Sequence, residues 1–254
     1  KNRLPVFMTA TCELSRYDDP EVESAGEMLI FNPDGGSVGM LTTTRTVFSG
    51  GNQELNTAFF KTVLDEDSGT GQLRCLGDIC KDTKNSPDVT SVTNMRNFSL
   101  LGDPAMLLAY PAYNVFFTEI PDTIRSLDLV KMRGYVGTSS GDTLEEFNGQ
   151  IYPTVFDKRS ELSTLDNDDV AGEFNYTMYR NVIHKGLASV VNGIFEFEFV
   201  VPRDIDYTYG NGRVSCYAVS ENNETKTDAH GASEEFIIGG TSSSVSIDDL
   251  GPQV

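Results

Sequence analysis

The sequence predicts an α/β region followed by an all-β region within one chain of 254 residues. Three observations carry this. Residues 1–110 alternate short apolar runs with stretches of helical periodicity, the succession expected of an α/β layer fold. From Pro111 onward helical periodicity is absent, apolar runs are short, and turn dipeptides recur between them. Within that second region Phe195, Phe197 and Phe199 alternate with Glu196 and Glu198, the period of a strand with one face in a core and the other in water.

The first region opens on Pro5-Val6-Phe7-Met8-Thr9-Ala10-Thr11-Cys12, a strand that breaks into a polar loop. Residues 20–31 predict a short helix, with Glu21 and Glu23 in its first turn and Asp18 or Asp19 as its cap. The turn Asn32-Pro33-Asp34-Gly35-Gly36 follows, because proline fixes φ and glycine takes positive φ. Residues 38–44, Val-Gly-Met-Leu-Thr-Thr-Thr, read as a core strand that becomes polar at its end. After Gly50-Gly51, with Asn52 as a cap, Leu55, Phe59, Phe60, Val63 and Leu64 fall at helical spacing. Residues 73–80 form a further amphipathic helix, and 81–93 a polar loop. Gly102-Asp103-Pro104 reads as a turn and helix start.

In the second region the predicted strands are 114–118, 129–136, 150–156, 182–190, 193–201, 212–219 and 235–238. Asn192-Gly193 between two apolar runs is a strong hairpin signal. Strands at this spacing predict a β-sandwich. Asp166-Asn167-Asp168-Asp169 lacks the glycine and distal glutamate of a calcium loop and reads as a polar hairpin tip. The end of the chain, 241–254, reads as a linker into a further module, and the chain as a piece cut from something longer.

Composition excludes some functions. Apolar residues make up 39% and charged residues 22%, enough for a packed core. A net charge of -19 argues against a nucleic-acid partner and against anionic lipid, which both need a basic face. No apolar run is long enough to span a bilayer. The 4 cysteines, Cys12, Cys75, Cys80 and Cys216, have no metal-site spacing, and His184 and His230 lie far from them in sequence. No metal or cofactor is therefore expected. Cys75 and Cys80 are either a pair bridged across a turn or two packed thiols.

Cys12 admits two readings. A thiol at the carboxyl edge of a sheet is a candidate nucleophile, since ligands bind at that edge. A free cysteine is also often a small buried hydrophobe. Three stretches favour the first. Phe7-Met8-Thr9-Ala10-Thr11-Cys12 resembles the catalytic-cysteine strand of the gingipain-type cysteine peptidases, a caspase-like family. Gly50-Gly51-Asn52-Gln53-Glu54-Leu55-Asn56 resembles the segment opening that family's next helix. Phe98-Ser99-Leu100-Leu101-Gly102-Asp103-Pro104-Ala105 resembles its closing motif. The fuller string from Thr9 to Pro20 is most similar to the branch that serves as sortase of the type IX secretion system.

The resemblance implies the C-terminal half of a caspase-like peptidase domain over 1–110, then an immunoglobulin-like β-sandwich over 111–240. It implies a cysteine endopeptidase and transpeptidase that removes the C-terminal signal domain from secreted cargo and attaches cargo to surface glycolipid. Cys12 is then the nucleophile, and Thr44, Arg45, Thr46 and Val47 line the substrate site. Arg45 either meets an acidic or carbonyl group of substrate or pairs with Asp18 or Asp19. The implied partners are cargo proteins with C-terminal secretion signals, other secretion subunits including an outer-membrane barrel protein, and a glycolipid acceptor. The implied location is the cell surface, at the outer membrane. The family's catalytic histidine precedes its cysteine, so this chain alone is expected to lack activity. Competing expectations are a secreted gingipain-like protease that degrades environmental protein, and a non-catalytic surface scaffold.

Overall fold

The computed structural model describes residues 4–65, 73–167, 169–170, 172–220 and 227–242. The chain divides into two compact units, Lys1–Tyr110 and Pro111–Val254. Taken together they are mostly β, with few helices.

The first unit contains, in chain order, β1 (Val6–Met8), α1 (Ala25–Ile30), β2 (Gly39–Thr43), α2 (Ser49–Val63), α3 (Leu76–Lys84), α4 (Val92–Asn97) and β3 (Phe98–Gly102). The sheet order is β1-β2-β3. β1 runs parallel to β2, with Val6 opposite Gly39 and Met8 opposite Leu41. β3 runs antiparallel to β2, with Gly39 opposite Gly102 and Thr43 opposite Phe98. Every residue of β2 is buried, which explains its unbroken apolar and β-branched composition. Leu41, Leu55, Phe59, Leu76, Ile79 and Phe98 form the core of this unit.

Several boundaries move relative to the sequence reading. α1 starts only at Ala25, and its cap is Ser24, not Asp18 or Asp19. Ser24 and Glu27 make a capping box, in which the Glu27 carboxylate accepts from the Ser24 N–H at 2.9 Å. α2 starts at Ser49, so Asn52 lies inside the helix instead of capping it. Gly51 packs against Asn94, where a Cβ would come within 2.5 Å of the Asn94 amide carbon. α3 begins at Leu76 and continues through Lys84, into the stretch expected to be loop. α4 begins inside the stretch expected to be polar loop, and β3 occupies residues to which the sequence reading assigned no element.

The second unit is all β. Its strands are β4 (Tyr113–Glu119), β5 (Thr123–Ser126), β6 (Leu129–Gly137), β7 (Gly149–Phe156), β8 (Ser160–Ser163), β9 (Asn175–Met178), β10 (Val182–Lys185), β11 (Ala188–Val191), β12 (Ile194–Val200), β13 (Gly210–Asn211), β14 (Arg213–Ser220), β15 (Asp228–Ser233) and β16 (Ile237–Thr241). The main ladder runs β7-β11-β12-β6-β4-β15-β14, and β14 pairs back onto β7 along its whole length. Seven strands thus close into one barrel-like sheet. This differs from the two separate sheets of the expected immunoglobulin-like sandwich. Strand alternation is common to both architectures, and closure depends on which strands pair at the seam.

The single strand expected over 182–190 is two strands, β10 and β11, broken at Gly186. The cause is Pro153 in β7, whose carbonyl accepts from the Gly186 N–H at 3.1 Å. A residue in a strand directs its N–H and C=O to the same side, so the missing proline donor falls where β10 gives way to β11. Phe195, Phe197 and Phe199 do face the core, with Met132, Ile151, Val155 and Phe236. Asn192 takes a φ of 50° in the hairpin between β11 and β12. Asp168 and residues 243–254 of the expected linker lie outside the described residues; Thr241 ends β16.

Candidate active site

The segment after β1 crosses the carboxyl end of β2 and is fastened to it. The Thr9 N–H donates to the Leu41 carbonyl at 3.1 Å, and the Thr9 hydroxyl to Thr42 Oγ1 at 2.8 Å. The Thr43 hydroxyl donates to the Thr11 carbonyl at 2.7 Å, and the Ser15 N–H to the Thr43 carbonyl at 2.9 Å. Glu13, at φ 54°, takes the left-handed turn that reverses the chain. Ser15 is fully buried beneath Gly26, where a Cβ would lie 2.6 Å from the Ser15 hydroxyl.

Cys12 stands on this crossing segment, and its thiol is exposed. Its Sγ–H points to the Val47 carbonyl at 3.4 Å. A carbonyl accepts from a thiol and offers nothing to a thiolate. Nucleophilic attack by Cys12 therefore needs a separate base or cation to take or hold off the proton. Both histidines of the chain, His184 and His230, belong to the second unit. Among the described residues no cluster of His, Cys, Asp and Glu could hold a metal ion.

Residues 44–47 follow β2 and form the other side of the rim. Thr44 donates its N–H and its hydroxyl to the Asn97 carbonyl, at 2.9 and 3.2 Å. Asn97 returns an N–H to the Thr46 carbonyl at 2.9 Å. The Thr46 hydroxyl donates to Glu13 at 3.0 Å, tying this loop to the cysteine loop. Arg45 grips Asp18 with both guanidinium nitrogens, one at 2.7 Å. This mutual bond raises the Arg45 pKa and lowers that of Asp18. Arg16 pairs with Asp19 at 2.8 Å. Of the two readings of Arg45, the pairing with Asp18 is the one present. Val47 is buried, and Phe48 beside it is exposed.

One residue that the sequence did not single out organises this rim. Asn94 in α4 is fully buried. Its amide oxygen accepts from the Phe48 N–H at 3.2 Å, and its nitrogen donates to the Phe48 carbonyl at 2.9 Å and to Asn52 at 2.9 Å. Asn94 therefore fixes the backbone immediately after the carbonyl that receives the Cys12 thiol. Its sequence signal was slight: an asparagine three residues after Ser91, which caps α4. The remaining cysteines are free thiols. Cys75 donates to Asp78 at 3.3 Å, and Cys80 and Cys216 are pushed up in pKa by burial, Cys216 to about 12.

No curated protein matches the chain. Among solved structures, dimeric latent PorU from Porphyromonas gingivalis is similar at 28% identity and a TM-score of 0.48, over 66% of this chain. The present chain spans only 17% of that PorU chain. Spo0M, a sporulation control protein from Bacillus subtilis, matches at 15% identity and a TM-score of 0.28, over 52% of this chain and 51% of its own. The family comparison falls on the unit that carries Cys12: residues 1–109 match the model of peptidase family C25, the gingipain-type family that the motifs around Cys12 resemble.

Proposed function

We propose that the first unit is the C-terminal half of a caspase-like cysteine peptidase domain, with Cys12 as nucleophile. Thr44, Arg45, Thr46 and Val47 form the substrate-binding wall beside it. The observation that carries this reading is an exposed thiol at the carboxyl end of β1, facing the loop after β2, in a segment that matches a peptidase family. The Cys12 thiolate attacks the scissile carbonyl and forms a thioester, and the amine leaves with the proton. Water or an acceptor amine then releases the acyl group. A histidine of the whole protein supplies the base.

The string from Thr9 to Pro20 supports a more specific role, that of type IX secretion sortase. In that role the whole protein removes the C-terminal signal domain of cargo at the cell surface and transfers cargo to a glycolipid amine. It works beside an outer-membrane barrel protein. The test is Cys12→Ala in the full-length protein, expressed from its own locus. Cargo that keeps its C-terminal signal domain is the expected result. Cargo trimmed as in the parent strain overturns the sortase role. Failure of the full-length protein to form a covalent adduct with a peptidyl electrophile at Cys12 overturns the peptidase reading itself.

A further inference from the structure

The second unit contains a cavity that the peptidase reading does not use. β4 and β15 pair in parallel at Tyr113–Ala229 and Asn114–His230, and their continuations β5 and β16 pair in parallel again from Thr123–Ile237 onward. The Ile237 N–H closes the lower end by donating to the Asp122 carbonyl at 2.9 Å. Between these two paired stretches no ladder joins the strands. The connecting paths, 115–122 and 231–236, differ in length, and β4 carries a register shift between Phe117 and Glu119. The strands bow apart around a cavity of about 630 Å³, within the range of small-ligand sites.

Its chemistry is two-sided. The floor is apolar: Val115 is buried, Ile120 packs on the barrel core, and Phe117 meets Phe195 edge-on with ring centroids 6.0 Å apart. The rim carries four carboxylates. Glu119 pairs with Arg133 at 2.9 Å, and Glu234 with Arg213 at 2.6 Å. Asp122 and Glu235, one from each wall, are exposed and have no cationic partner among the described residues. An apolar floor below two uncompensated carboxylates complements an aliphatic stem that ends in a cation.

We propose that the opening between β4 and β15 is a binding site for an aliphatic amine, the chemistry shared by a lysine side chain and a free diamine. The stem lies on Phe117 and Ile120, and the ammonium sits between Asp122 and Glu235. The test is an amide-resolved NMR titration of the whole chain with 1,5-diaminopentane, with a lysine-containing tripeptide blocked at both ends, and with its ε-acetylated form. Shifts confined to 115–122 and 231–236, produced by the two cationic probes and absent with the acetylated one, are expected. Asp122→Asn combined with Glu235→Gln should weaken binding about fivefold, as expected for two exposed charge pairs. Tighter binding of the tripeptide than of the diamine assigns the natural source to a protein partner, and the reverse assigns it to a small molecule. Shifts spread over the whole acidic surface, an affinity unchanged in the double variant, or no shift at millimolar probe overturns the site.

Discussion

Cys12 and Cys216 differ in their access to solvent. Cys216 is buried among the barrel core, and loss of hydration pushes its thiol up to about 12. Cys12 is exposed, and its thiol donates to a carbonyl. Iodoacetamide at neutral pH should therefore modify Cys12 in the folded protein and reach Cys216 only after denaturation, as peptide mapping by mass spectrometry would show. Modification of Cys216 in the native state would mean that the barrel opens readily. His184 gives the pH counterpart. It stacks on Phe199 with centroids 4.5 Å apart, and burial lowers its pKa below the usual histidine value. The unfolded chain then binds the proton more readily than the folded one, so stability is full above the ordinary histidine pKa. It declines as pH falls through that value toward the folded one. The unfolding midpoint of the second unit should drop between pH 7 and 5, and His184→Phe should flatten that drop. In the sequence Cys216 reads as a core position because it alternates with Val214, and His184, in an apolar stretch, reads as either packed or at a strand edge. The exposure of Cys12 was not legible, since it depends on where a loop crosses the sheet.

Among elements, α4 matters most for the rim because Asn94 satisfies both backbone groups of Phe48. Asn94→Ala leaves the Phe48 N–H and the Asn52 side-chain oxygen without the partner Asn94 supplies, while the Phe48 carbonyl keeps the Asn52 N–H at 2.9 Å; in this buried setting the cost is about 2–4 kcal/mol. Chemical denaturation should show that loss, and the alkylation rate of Cys12 should change with it, because the Val47 carbonyl loses its anchor. An unchanged rate at Cys12 would separate the two loops. Ser24→Ala removes the capping box of α1 and should cost about 1 kcal/mol. That α1 is short follows from the position of Ser24, a signal the sequence offered and acidic residues nearby obscured. Strands with a strong period, such as β6, β7, β12 and β14, were readable to within a residue or two. β15 was not, because Asp-Ala-His-Gly-Ala-Ser carries no apolar alternation. Gly231 is required there, since a Cβ would collide with the Val115 carbonyl of the neighbouring strand. β3 is hard to read for another reason: its five residues run directly out of α4 and into the Gly-Asp-Pro turn, with no turn signal to mark where the strand starts.

At the scale of the molecule the governing quantity is a net charge of -19. Local ion pairs offset it in places. Lys131 bridges Glu196 and Glu198, and Arg133 bridges Glu196 and Glu119, on the outer face of the barrel. These pairs are largely exposed, and exposed pairs contribute at most about 1 kcal/mol each. Self-repulsion of the excess carboxylates acts over longer distances and is screened beyond about 10 Å at 0.1 M salt. Two opposing salt effects follow: screening weakens the pairs, and it relieves the repulsion. With twice as many acidic as basic residues, 38 against 19, the second should dominate. The melting temperature should rise as NaCl is increased from a few millimolar to about 0.1 M, where the screening length becomes shorter than the molecule. A melting temperature that falls over the same range would mean that the Lys131 and Arg133 network, and pairs like Arg45 with Asp18, carry more of the stability than the net charge removes. Charge reversal at Glu198, whose one ion pair among the described residues is with Lys131, then decides between the two: Glu198→Lys should raise stability at low salt if repulsion governs, and lower it if the network does.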